Sequence, residues 1–469
     1  MNAEALRFTP LLLGLALGGA LVFVSPAQLF GGLAGLAFAV AVFRQPLLGL
    51  GSYLFVAAFV PYATVRLGLR VTVAELLLLL TWAAVLWRLA GPEGEAWRAR
   101  LRDQPVLRAA GWWLLFSLVP LVAGWLMVPG PGNAPVNWFR WLMNVSLLWL
   151  APLLVTDRGT ARAVLVPLFM GALASLVLSL TVFAGAQDAR AMIDVLSTFR
   201  YAHPEAIEDI FSGHYGRMGS PWVHPNVTGG FYALIVPLAY LAALAVGRGW
   251  GRRALFALAL LAVAGLLLSG SRGALVALAL VTLWLAFKGV PGTGRIILYG
   301  GFAGFLLVAS YPPLQERLAT MFSAENASTV ARMDEYRAYP KAIARYPLGI
   351  GFKGEPPPPD PDLLGISNLW LNYAYKLGPA GLALFLWVSW RWWRTVRPRV
   401  RGDAWRADPL LTGVVAALLV AYATGLFDHY YSFTPVLTGI FWFLTGLSLV
   451  LAREAGAAGP EKTNTTRRE

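Results

Sequence analysis

The sequence predicts an all-α polytopic membrane protein of about fourteen transmembrane helices, within a range of twelve to fourteen. Three observations carry that expectation. Hydrophobic residues make up 58% of the 469 and charged residues only 13%, and mean hydropathy is +0.61, more apolar surface than a soluble domain can hide. Apolar runs of about 17–25 residues, the length that crosses a bilayer, recur along the chain. Lys and Arg collect in alternate connections between those runs, as the positive-inside rule requires. No repeat of fixed period is present.

Composition also excludes several classes. The chain has no cysteine, which rules out disulfides and thiolate metal sites. Its formal net charge of +14 could suggest nucleic acid, but no recognition motif accompanies it, and basic residues flanking apolar spans set topology instead. No phosphate loop, dinucleotide fingerprint or zinc pattern occurs. Neither cofactor nor metal is expected.

In chain order, the run 9–25 follows Glu4 and Arg7, whose charges cancel, so it reads as an uncleaved first helix rather than a signal peptide. Spans 28–43, 47–63, 71–89, 106–127, 137–155 and 161–184 complete the first seven. The second half reads 226–247, 254–270, 272–288, 294–310, 367–390, 410–427 and 434–452. With the N-terminus in the cytoplasm, Arg44, Arg88, Arg98 to Arg108, Arg158, Arg162, Arg248 to Arg253, Lys288, Arg295, Arg391 to Arg406 and the tail from Arg453 all fall inside. Both termini are then cytoplasmic.

The expected organisation is helices over 1–184, an outer loop over 185–225, and helices over 226–310 with a turn at Arg272. A second outer loop follows over 311–366, then helices over 367–452 and a disordered tail over 453–469. His203, His214, His224 and His429 all fall on the outer face. The inner connections are short and basic, whereas the outer loops mix charges with aromatic residues, so chemistry is expected outside. In the second loop, 328–346 predicts an amphipathic helix with Ser328 as its N-cap, kinked or ended by Pro340. The proline run "GEPPPPDPDLLG" reads as a mobile flap, so the Asp360-Pro-Asp362 spacing there is a linker rather than a metal site. Arg140, among tryptophans, reads as an interfacial anchor.

The stretch "LLLSGSRGALVAL" (Leu266 to Leu278) poses the functional question. Arg272 is the one ionisable residue from Ala254 to Phe287, and an Arg at the bilayer centre costs about 2.5–3.5 kcal/mol on insertion scales. Ser271 and Gly273 flank it in a tight break that brings backbone close to a ligand. A guanidinium beside a helix N-terminus suits a phosphate or diphosphate; a snorkelling anchor is the plain alternative. Upstream, "GHYGRMGSPWVHPNVTGG" brings Arg217 to the same membrane face, just before His224, Pro225 and Asn226 open a helix. Two arginines converging there suit both phosphates of a lipid-linked diphosphate. The plain reading is loop chemistry, with Asn226 as a helix cap.

In order, "RMGSPWVHPNVTGG", "SGSRGALVAL", "YPLGIGF" and "SNLWLNYAYKLGPAGLALF" resemble the core shared by O-antigen ligases and O-antigen polymerases, over about residues 213–390. The resemblance implies an inverting, metal-independent glycosyltransferase of the C type, acting in polysaccharide biosynthesis of the cell envelope, with its site outside the bacterial cytoplasmic membrane. Its implied partners are an undecaprenyl-diphosphate-linked glycan as donor and a saccharide or glycolipid as acceptor, with a chain-length regulator where the product is a polymer. The arginines matching Arg217 and Arg272 are implied to engage the diphosphate. Ligases carry a His where the second outer loop enters the next helix. Here Ser367-Asn368 stands instead, which favours a polymerase.

A sugar hydroxyl must lose its proton during attack, and the candidates for the base are His224, Glu335, Asp428 and His429. Asp428 beside His429 also suits a cap between helices. Arg332, Arg337 and Arg345 recur along the amphipathic segment and suit guidance of an anionic donor as well as a solvated face. Three functions remain open at this level: a polymerase, a ligase, and a flippase for the same lipid-linked sugars. Transporters place polar residues deep in several helices, whereas here they gather at one face.

Overall fold

A computed structural model describes residues 25–67, 69–102, 104–211, 216–310, 327–353 and 366–457. The expected span 9–25, His214, the Asp360–Asp362 run and the tail beyond 457 lie outside the described residues. Each expected span from 28–43 to 434–452 falls on a helix or a helix pair. By length and composition six described helices can cross a membrane: Val73–Ala90, Pro105–Met127, Arg158–Ala186, Pro225–Ala245, Trp250–Ser269 and Pro435–Ala455. Pro46–Phe59, Arg272–Phe287 and Pro409–Thr424 are shorter apolar helices. The architecture is that of an all-α polytopic membrane protein.

Helix starts follow capping chemistry. Ser25, Thr72 and Asp157 each accept from a backbone N–H three residues on and complete capping boxes, satisfying donors that the first helical turn leaves without an intrahelical partner. Two spans are interrupted by serines. Ser117 separates Pro105–Phe116 from Leu118–Met127, and Ser146 separates Ala134–Val145 from Leu147–Leu154. Both hydroxyls bond a carbonyl three residues back.

Burial sorts the helices into a centre and a rim. Pro435–Ala455 has 94% of its span buried and Pro225–Ala245 has 83%, against 28% for Val73–Ala90 and Trp250–Ser269. The rim exposes Phe30, Trp87, Leu126, Leu260 and Phe287, which suits lipid rather than water. At the centre Trp113 packs edge-on against Trp141 and Tyr373 and donates its indole N–H to Gly381 O at 3.1 Å.

The two ends differ chemically. At the end holding the basic connections, Arg158 pairs with Asp408 at 2.9 Å, Arg100 donates to Leu153 O, and the Trp405 indole donates to Lys288 O. At the other end sits an antiparallel hairpin, Thr64–Leu67 with Leu69–Thr72, in the register Thr64↔Thr72. It was not expected, because its short alternation lies between two apolar spans.

The "YPLGIGF" segment and the helix Leu369–Val396 explain each other. Gly378 has φ 73° and precedes Pro379 within that helix. Proline lacks the N–H that would bond Tyr375 O, and the break also releases Lys376 O. Ile350 N–H supplies the first bond at 3.0 Å and Gly351 N–H the second at 2.9 Å. A loop thereby satisfies the broken helix, which is how non-helical backbone is tolerated within a bundle. A Cβ on Gly351 would lie 2.2 Å from Pro120 O, so the approach demands glycine.

The helix in the second outer segment runs Ala327–Arg345. It begins one residue earlier than expected, placing Ser328 inside it rather than at its cap. It also continues past Pro340 to Arg345 instead of ending there.

Candidate functional site

The site is built on the end of the helix Trp250–Ser269. Gly270 closes it with φ 66°, Ser271 is extended, and the next helix begins at Arg272. The last carbonyls of that helix need donors. Met218 N–H bonds Leu268 O at 3.0 Å, and Arg217 Nε bonds Ser269 O at 2.7 Å. A guanidinium at a helix C-terminus is favoured by the macrodipole. The same bond holds Arg217 against Gly270, where a Cβ would lie 3.1 Å from its Nε, two residues before the exposed Arg272.

The first turn of Pro225–Ala245 presses on this break. A Cβ on Gly229 would stand 2.3 Å from Ser271 Cβ, and one on Gly230 would stand 2.3 Å from the Tyr430 ring. Gly273 plays a related part, since its missing Cβ would meet Phe427 at 2.6 Å. Ser271 and Gly273 thus pack the turn between two neighbouring segments.

The N-cap of Pro225–Ala245 is His224, not Asn226. The imidazole Nδ1 accepts from Asn226 N–H at 3.1 Å, so in the neutral ring Nε2 carries the hydrogen. Although the residue is exposed along one edge, burial of the ring pushes its pKa down. Arg217 and His429 push the same way, and Asp428 opposes them.

Asn226 is the hub that sequence reasoning missed. Its Oδ1 is 3.4 Å from Arg217 Nη2, a long contact, while its Nδ2 donates to Asp428 Oδ2 at 3.1 Å. Asp428 Oδ1 accepts from His429 N–H at 2.8 Å and lies 3.5 Å from His429 Nδ1. Two buried polar atoms here, His429 Nδ1 and Tyr430 Oη, have no hydrogen-bond partner among the described residues. Such atoms are uncommon and call for a ligand or water. Burial pushes the Tyr430 phenol well up, helped by Tyr431 and Asp428, with Arg332 acting in the opposite sense.

The helix Ala327–Arg345 is held at Ser367 through Glu335, which accepts from Ser367 N–H at 2.7 Å and from Ser367 Oγ–H at 3.0 Å. Arg332 lies one turn earlier, within electrostatic reach of Tyr430. Arg337 instead pairs with Asp334 at 3.3 Å on an exposed face, and the Arg345 guanidinium sits 5.4 Å from the Tyr346 ring. Neither contact is with the cluster. Arg217, His224, Asp428 and His429 are thus drawn together with Asn226 beside the Ser269–Arg272 turn, with Arg332 in electrostatic reach of the neighbouring Tyr430 and Glu335 held on Ser367.

Arg140, expected as an interfacial anchor, forms an ion pair. Its Nε pairs with Glu75 Oε1 at 3.0 Å, and the Glu75 side chain is 14% exposed. Glu75 was overlooked, although one acid in an otherwise apolar span was a usable signal. Asn226 had a weaker one, its position after His-Pro at a helix start. The Glu335–Ser367 contact had none, because spacing along the chain does not report it.

Residues 256–386 match the family model described as O-antigen ligase. The match supports a likeness of this segment to the O-antigen ligase and polymerase superfamily. The match includes Arg272, Arg332, Glu335 and Ser367, whereas Arg217, His224, Asp428 and His429 lie outside it. No curated protein matches the chain.

Proposed function

We propose that the protein is a polymerase of lipid-linked glycans: an inverting glycosyltransferase that takes glycan from undecaprenyl diphosphate and passes it to an acceptor sugar. On this reading it lies in the bacterial cytoplasmic membrane with both termini inside and the Arg272 end outside. The observation that carries it is Arg217, held on the Ser269 carbonyl beside the Arg272 turn and linked through Asn226 to Asp428. Guanidinium groups and a helix N-terminus there suit a diphosphate.

The chemistry then follows from charge. As the bond from the anomeric carbon to the diphosphate oxygen breaks, negative charge grows on that oxygen, and fixed guanidiniums stabilise it as it forms. The acceptor hydroxyl attacks from the opposite face, which inverts the anomeric carbon, and its proton passes to a base. His224 is poorly suited, because Nδ1 is engaged and Nε2 holds a hydrogen. Asp428 suits the task best: it is the carboxylate that Asn226 ties to Arg217, with His429 beside it. Glu335, anchored by Ser367 near the position where ligases carry a His, serves to dock the outer helix. Ser271 and Gly273 shape the turn, and Arg332 draws the donor in.

The test uses purified protein in nanodiscs with a defined lipid-diphosphate glycan. A ladder of products supports polymerase, one transfer to a different carrier indicates ligase, and translocation without new bonds indicates a flippase. Arg272→Ala and Asp428→Asn should each abolish ladders while remaining folded. Undiminished turnover in either variant refutes the role assigned to it.

A further inference from the structure

Beside the Arg217 cluster lies a second feature, a cavity of about 280 Å³ lined by Tyr62, Thr64, Thr72, Glu75, Arg140 and Asn144 among others. The bundle supplies its floor and the hairpin its wall. Glu75 Oε2 accepts from Thr72 N–H at 2.8 Å and its Oε1 from Arg140 Nε at 3.0 Å. Asn144 Oδ1 accepts from Tyr53 Oη at 3.1 Å, and its Nδ2 donates to Arg140 O. These bonds orient Glu75, Arg140 and Asn144 before any ligand arrives.

The cavity adjoins the segments that carry the cluster. Tyr62 packs edge-on against Trp222 with centroids 6.3 Å apart, and Trp222 belongs to the 217–224 segment. Tyr201, edge-on to Tyr62, donates to Pro221 O at 2.8 Å. Pro435 and Val436 line the cavity, directly after the segment that carries Asp428 to Phe433.

We propose that this cavity is a saccharide subsite holding one sugar ring of the glycan, with Glu75 and Arg140 as the groups that recognise its hydroxyls. The assignment rests on the transferase reading above and adds to it a place for sugar. A sugar hydroxyl is one donor and two acceptors, and the fixed Glu–Arg pair offers acceptor and donor side by side, as adjacent hydroxyls require. Aromatic rings supply an apolar face for the ring carbons. Sites for drug-sized ligands run to about 300–1,000 Å³, so the space suits one ring and not a polyprenyl chain. Glu75 also completes the Thr72 capping box, while the Arg140 side chain, 38% exposed, stays accessible to a ligand.

The experiment titrates the nanodisc-embedded protein with two probes. One is the repeat-unit oligosaccharide released by mild acid from the host's polyprenyl carrier, followed by saturation-transfer NMR. The other is inorganic pyrophosphate, which reports the arginine cluster. Glu75→Gln keeps the helix-capping geometry but loses the charge, and Ala202→Trp fills the cavity from the loop side. Each should weaken oligosaccharide binding about tenfold or more, as for a lost charge-assisted hydrogen bond, with pyrophosphate binding unchanged. Wild-type affinity in both variants, or no oligosaccharide binding by the wild type, overturns the proposal. Loss of pyrophosphate binding alone would count against the diphosphate reading and leave the subsite standing. Reducing the oligosaccharide to its alditol opens the reducing-end ring. Retained binding then assigns the cavity to the acceptor's free end, and lost binding assigns it to the donor.

Discussion

Arg217 Nε donates to the carbonyl of Ser269 over 2.7 Å, joining groups 52 residues apart in the chain. That bond ties the segment before the helix Pro225–Ala245 to the turn before Arg272. It gives the guanidinium a fixed orientation, which a flexible cation at the same place would lack.

Arg217→Lys tests that orientation. A lysine keeps the charge but lacks the planar fork, and loss of one aligned donor to developing charge typically costs about 10²–10³ in rate. Turnover should fall by that order while thermal stability stays near wild type. A variant that melts early yet turns over normally when folded would reduce Arg217 to a helix cap.

His224 should make stability pH-dependent. Its folded pKa lies below the ordinary 6.5, so as pH falls through about 6.5 the unfolded chain takes a proton that the folded one resists. Stability from this residue is therefore full at neutral pH and declines as pH falls below about 6.5. His224→Asn retains a capping side chain and should flatten the slope. Denaturation curves above and below that pH, with equal slopes for both proteins, would contradict the assignment.

Gly229→Ala should be costly. Its Cβ would stand 2.3 Å from Ser271 Cβ, and overpacking of this kind costs about 1–3 kcal/mol. The helix start or the turn must move, so affinity for a diphosphate-linked donor should drop along with the melting temperature. Unchanged affinity would mean that the turn does not shape the binding site.

Asp408→Asn provides the converse at the basic end. Asp408, 4% exposed, accepts from Leu411 N–H at 3.0 Å and pairs with Arg158 at 2.9 Å. Asn preserves the cap but not the charge, at a cost of about 1–3 kcal/mol. Melting temperature should fall with turnover of the folded fraction intact; a large loss of turnover would show coupling between the two ends.

Much of the framework was legible because hydrophobic run length and charge alternation are local signals, and from residue 28 on each expected span falls on a described helix or helix pair. Turn chemistry was legible in part. "SGSRG" marked a break, and Gly270 adopts the left-handed conformation such a break needs. Caps were read less well, since His224 took the place expected of Asn226 through a ring nitrogen that composition does not advertise. Pro340 sits inside a helix that propensity would have stopped.

By itself, the sequence determined that this chain belongs in a bilayer and that a solitary Arg272 sits at a glycine-marked break, because apolar length and the cost of a buried charge depend on neighbours in the chain. Only the tertiary structure decided that Arg217 bonds Ser269, that Asn226 bridges toward Asp428, that Ser367 holds Glu335, and that Glu75 pairs with Arg140. Those contacts join residues far apart in sequence, and their geometry is set by how the helices pack.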